Sequence, residues 1–119
     1  MVADDKIAIQ LPKKIEVYQD TGGRSPFEKW RKKQKGSRGA AIDEALDRVR
    51  DSKTVKVKSY DGKVGAIIIN WPTKLRIYYG LADDNTVVLL GGDEDSQNTD
   101  INQAKHYWED FVTRGDHDG

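Results

Sequence analysis

Cysteine is absent from the 119 residues, which excludes disulfides, thiol nucleophiles and thiolate metal sites. Only two histidines are present, too few to build a zinc site alone. No apolar run approaches the roughly 20 residues that a membrane-spanning helix needs. The opening MVADDKIAIQLPKK lacks the basic-then-apolar order of a secretory signal. A cytoplasmic protein without membrane contact is therefore the expectation. Glycine-rich phosphate motifs are missing, and no serine has the strand-turn-helix setting of an activated nucleophile. Acid pairs such as Asp83-Asp84 lack ligand spacing, so neither metal nor other cofactor is expected.

What is present fits one small domain: 36% hydrophobic and 34% charged residues, with the apolar ones in short periodic groups. The zero net charge conceals a division. Residues 1–80 hold 18 Lys/Arg against 10 Asp/Glu, whereas residues 81–119 hold 2 against 10. A basic surface concentrates polyanions, so any nucleic-acid contact belongs to the first part; mutual neutralisation of the two parts is the alternative.

Residues 1–14 read as an arm of weak periodicity, 15–113 as the domain, and 114–119 as a frayed tail. Ile15 to Tyr18 alternates like a strand and runs into an Asp20-Thr21-Gly22-Gly23 turn. Ser25-Pro26-Phe27-Glu28 combines a capping serine, a first-turn proline and a glutamate able to reach the cap amide, which predicts a helix start. Ala41, Ile42, Ala45, Leu46 and Val49 recur at helical spacing. Alternation then returns at Val55 and Val57. Asp61-Gly62 predicts a hairpin turn into Val64 to Asn70, with further strands at Leu75 to Tyr79 and Val87 to Leu90. A last helix begins at Asp100, where Gln103 completes a cap and Ile101, Ala104, Trp108, Phe111 and Val112 line one face. The expected class is α+β, in the order β-α-α-β-β-β-β-α.

Three stretches, GGRSPFEKW at 22–30, LRIYYG at 75–80 and VVLLGGDEDSQNTDINQAKHYWEDF at 87–111, resemble the addiction-module killer proteins of the RelE/ParE toxin superfamily, close to the HigB-type toxins. The resemblance implies a small curved antiparallel sheet with an N-terminal helical hairpin and a C-terminal helix. It implies the toxin of a type II toxin–antitoxin module, a ribosome-dependent messenger-RNA endonuclease that needs no metal ion. Its partners would be a helix-turn-helix antitoxin, the ribosome and messenger RNA. A degenerate antitoxin-binding module and a ParE-like topoisomerase poison are the alternatives. Two positions depart from the family pattern: Ile68 stands where an arginine is usual, and Glu94 where a lysine follows the Gly-Gly-Asp.

RNA cleavage without metal requires proton removal from the 2′-hydroxyl, stabilisation of phosphate charge and protonation of the leaving oxygen. Arg76 matches the family's strand arginine, and its planar fork of donors suits phosphate. Alternation places Tyr78 on the same side, where it would face and orient RNA while Tyr79 enters the core; Arg76 and Tyr78 are the catalytic candidates. Lys56 and Lys58 share one strand face, with Lys63 at the hairpin and Lys74 ahead of Arg76. They read either as phosphate contacts or as lysines guarding an edge strand. The helical run supplies Arg31, Lys32 and Lys35 as further RNA-backbone candidates, the alternative being a solvated helix. Trp30, Trp108 and Phe111 fit core positions, and His106 a surface or packing role.

Overall fold

The computed structural model describes residues 7–94 and 98–117. Its class is α+β: strands β1 (Ile7–Gln10) and β2 (Lys14–Val17), helices α1 (Pro26–Lys33) and α2 (Ser37–Arg50), strands β3 (Thr54–Asp61), β4 (Val64–Ile69), β5 (Leu75–Ala82) and β6 (Thr86–Asp93), and helix α3 (Asn98–His117). The meander forms as its alternation dictates, with β3 to β6 paired antiparallel in sequence order. The hairpin turn sits one residue later than expected. Gly62 and Lys63 lie between the paired Asp61 and Val64, and Gly62 takes φ +55°, which its lack of a Cβ permits.

Two expectations are corrected. Residues 7–10 of the expected arm form a strand, β1, antiparallel to β3 from Ile7 opposite Val57 to Gln10 opposite Thr54. Four residues are too short a run to display a period, but the open backbone of β3 supplies partners and Ile9 packs on the core. Residues 1–6 lie outside the described ones. The sheet is also mixed and not wholly antiparallel, in the order β1-β3-β4-β5-β6-β2, because β2 pairs parallel with β6 from Lys14 opposite Thr86 to Val17 opposite Leu89. The long crossover through both helices and the meander brings the chain back in the same direction, as parallel pairing requires.

β1 and β2 occupy opposite edges of the sheet, yet only Leu11, Pro12 and Lys13 separate them. The four steps from Gln10 to Lys14 reach at most about 14 Å. Five inter-strand gaps in a flat sheet would need about 24 Å. The sheet must therefore coil until its edges approach, and Leu11 is buried in the closure at 4% exposure.

Both faces are covered. Against one lie α1 and α2, where Phe27, Ile42 and Val49 meet Val57, Ile67, Ile77 and Leu89. Against the other lies α3, where Ala104 and Trp108 meet Val64, Ala66, Val88 and Leu90. Each such valine, leucine, isoleucine or phenylalanine stabilises the fold by about 1.5–3 kcal/mol when fully buried. Burial on two faces explains why β4 reads VGAIII without alternation. Glycine sets the approach of the helices. A Cβ on Gly80 would stand 2.2 Å from the Trp108 indole, and one on Gly92 would stand 2.4 Å from Trp30 on the opposite face.

Local signals hold at the helix starts. Ser25 Oγ accepts from the Glu28 amide at 3.0 Å and Pro26 opens α1. The proposed Asp100 cap lies outside the described side chains. On α3, Tyr107 joins the packed face expected of Val112, which is 39% exposed. Residues 114–117 are helical and not a frayed tail; 118 and 119 lie outside the described residues. Arg114 pairs with Asp110 at 2.9 Å, donates to the Gln19 carbonyl and stands over the Tyr18 ring, while the Tyr18 hydroxyl donates to Asp110 at 2.6 Å. Among the described residues, no helix is long and apolar enough to cross a membrane.

Candidate nucleic-acid interface

The candidate cations divide into three places. In the first, adjacent strands bring side chains into rows on the α3 side of the sheet. Lys58 is opposite Ala66 and Ala66 opposite Tyr78; Ile68 is opposite Arg76 and Arg76 opposite Asp93. Directly opposed residues of an antiparallel pair point to one face, so Arg76, Tyr78, Asp93 and Lys58 share it. Lys56, two residues before Lys58, shares it by alternation and is exposed. Lys74 is exposed in the loop leading into β5.

This row has an aromatic and acidic interior. Lys58 Nζ stands 5.6 Å from the Tyr60 ring centre, and Tyr60 meets Tyr78 at 6.1 Å. Tyr78 is 2% exposed and its hydroxyl donates to Asp93 at 2.7 Å. Burial, then the hydrogen bond and charge of Asp93, push the Tyr78 phenol far above its ordinary range. Burial likewise raises Tyr60, with the Arg76 charge opposing it. The guanidinium is half-buried, and its Nε is enclosed without a hydrogen-bond partner among the described residues.

Tyr78 therefore does not face RNA as expected. Alternation correctly assigns it to the Arg76 side, but Tyr60 and the α3-side core cover the ring. Tyr79 is also buried, at 3% exposure, and burial raises its phenol to about 12. Neither tyrosine presents an exposed ring.

Two further candidates are held elsewhere. Lys63 sits at the other end of the sheet from Arg76 and pairs with Asp83 at 2.5 Å. Arg31 clamps α1 to α2, with Nε and Nη2 on the two carboxylate oxygens of Asp43 at 3.0 and 2.7 Å and Nη1 on the Gln34 carbonyl at 3.1 Å. Its guanidinium hydrogen bond holds Asp43 below the usual carboxylate range. Lys32, on α1, and Lys35, just beyond it, are exposed, but they belong to the opposite side of the sheet from the Arg76 row.

The two positions that differ from the resembled toxin pattern have structural employment. Ile68 is 8% exposed, packed on the α3 side next to Arg76. Glu94 pairs with Arg38 of α2 at 2.7 Å. Sequence reasoning missed Tyr60 and Asp93 as members of the row. The parity of Lys56, Lys58 and Tyr60 points to the first; Asp93 lies beyond the expected Val87 to Leu90 strand and becomes a neighbour of Arg76 only through pairing.

Among the described residues, no three His, Asp or Glu side chains converge as a bound metal would require. The arrangement can attract phosphate through Lys56, Lys58 and Arg76, and Asp93 moderates that attraction. No protein-family model matches the chain, and no curated protein matches its sequence.

Proposed function

We propose that this chain is a RelE/ParE-like, HigB-type toxin of a type II toxin–antitoxin pair, which docks on ribosome-bound messenger RNA through the Lys56, Lys58 and Arg76 row. The observation that carries the reading is that three cations separated in sequence share one face and one region of the sheet. A helical hairpin before the meander and a helix after it agree with the superfamily's element order.

In the cleavage reading, Arg76 stabilises the phosphate charge that builds as the 2′-oxygen attacks. Tyr78 takes no part in proton transfer, because Asp93 holds its hydroxyl proton and burial raises its pKa. That bond favours the second reading, a protein that keeps RNA and antitoxin contact without cutting.

Induced expression, with sequencing of message ends, tests both. Growth arrest with truncated messages, abolished by Arg76→Ala, supports the nuclease. Harmless expression with retained antitoxin binding supports the non-cleaving module. Arrest with intact messages and broken DNA overturns both in favour of a topoisomerase poison.

A further inference from the structure

A concavity of about 800 Å³ lies beside α1, away from the Arg76 row. Arg24, Lys29, Lys32 and Lys33 line it, all exposed. Lys29, Lys32 and Lys33 recur at i, i+3 and i+4, which places them on neighbouring turns of one helix face. Two acids reach the same groove. Asp20 is committed to the turn before α1, its Oδ1 accepting from the Gly22 and Arg24 amides at 2.8 and 2.9 Å. Glu28 is exposed and opposes the lysines.

The groove also has aromatic walls. Trp30 and Tyr107 line it, both half-buried, and Tyr107 is braced against Tyr18 at 5.1 Å between ring centres. Pro26 and Tyr107 are shared with a second cleft of about 160 Å³. That cleft passes over Gly91 and Gly92 and reaches Tyr78, the neighbour of Asp93 in the Arg76 row. Gly91 is buried, yet its missing side chain leaves room on the cleft side: a Cβ there would meet nothing nearer than Pro26, 4.0 Å away. A cationic helix face and braced aromatic rings thus adjoin the Gly91-Gly92 cleft, and together they form one path between α1 and α3.

We infer that this path is a binding groove for single-stranded RNA, distinct from the Arg76 row and leading toward it. Lysine side chains on a helix grip a sugar-phosphate backbone without reading sequence, and aromatic rings beside them accept bases of any identity. An acidic peptide would use the lysines and leave the rings idle, so the aromatic walls favour RNA. The choice of RNA rests on the RNA-docking reading above, whereas the groove and its charge do not.

The test is titration of a fluorescein-labelled oligouridylate at several salt concentrations, in an Arg76→Ala background so that the strand row contributes least. Replacing Lys29, Lys32 and Lys33 together by Gln is expected to weaken binding roughly tenfold or more and to flatten the slope of log K against log salt by about 2, near 0.7 per lost contact. Glu28→Gln is expected to change affinity the opposite way, tightening it. Photocrosslinking of a 4-thiouridine strand is expected to mark Trp30 or Tyr107. Undiminished binding by the triple variant, with its helix content intact by circular dichroism, overturns the groove. So does a polyglutamate peptide that binds as tightly as the RNA and displaces it. If these binding results hold while expression in the growth experiment is harmless and leaves messages intact, the cleavage reading fails and the groove stands.

Discussion

Arg76 and Asp93 stand directly opposite each other on β5 and β6, and the same carboxylate accepts the Tyr78 hydroxyl at 2.7 Å. A cation that would hold phosphate is therefore set beside an anion that repels it. The field at this end of the sheet is the difference of the two.

Asp93→Asn removes the anion while keeping an oxygen for Tyr78. RNA affinity is expected to rise a few-fold as the opposing charge is removed. The gain should shrink with added salt, because screening weakens the repulsion that was relieved. Fluorescence anisotropy at two ionic strengths measures it. Unchanged affinity at low salt would show that Asp93 does not govern the row.

Gly80→Ala and Gly92→Ala each drive a methyl into an indole ring, at 2.2 Å for Trp108 and 2.4 Å for Trp30. Each is expected to cost about 1–3 kcal/mol as an overpacked site. Urea midpoints report the loss, and near-ultraviolet circular dichroism reports the displaced tryptophan. Midpoints equal to the parent's would mean that neither indole rests on its glycine.

The Arg31–Asp43 pair carries a pH signature. The Asp43 pKa is depressed in the fold, so its contribution to stability is complete above the ordinary aspartate value of about 3.9 and is lost as pH falls through the lower folded value. Asp43 is more than half exposed in its side chain, which limits the pair to about 0.2–1 kcal/mol. Asp43→Asn should thus be destabilised by that amount at neutral pH and match the parent in strong acid. Paired denaturation curves across the acid range provide the comparison, and a gap that persists in strong acid would assign the loss to packing instead.

Tyr18→Phe removes the donor to Asp110 at 2.6 Å and should cost about 1 kcal/mol. Amide exchange in the last turns of α3 is expected to accelerate before that of the sheet. Tyr18 also adds to alkaline unfolding. Burial, then the Asp110 bond, raises its phenol from 10.0 to about 12, so the contribution is present below pH 10 and lost as pH climbs toward 12. The variant should therefore show a shallower decline in that interval. An unaltered slope would remove Tyr18 as its source.

Local chemistry was the most legible part of the sequence. Ser25 and Pro26 mark the helix start because capping involves atoms within one turn, and Gly62 marks the hairpin because few other residues accept its φ. Pairing over distance was not legible. Nothing in Lys14–Val17 announces a parallel partner at Thr86, and nothing in the basic run around Arg31 announces Asp43 on the next helix. At the candidate site, alternation put Lys56 with Lys58 and Tyr78 with Arg76, because a strand's period of two survives in any sheet, whereas only strand pairing joins the two sets. Alternation could not reveal that Tyr60 crowds Tyr78, or that Ile68 and Glu94, apparent losses of charge, serve packing and an ion pair with Arg38.

The three residues between β1 and β2 act as a drawstring around the sheet. Severing the backbone at Pro12-Lys13 would slacken both rims together, baring unpaired amides on β3 and β6 to any neighbouring chain. A truncation that starts at Ile15, where the pattern of the sequence first looks like a domain, would therefore discard β1 and leave the β3 rim sticky.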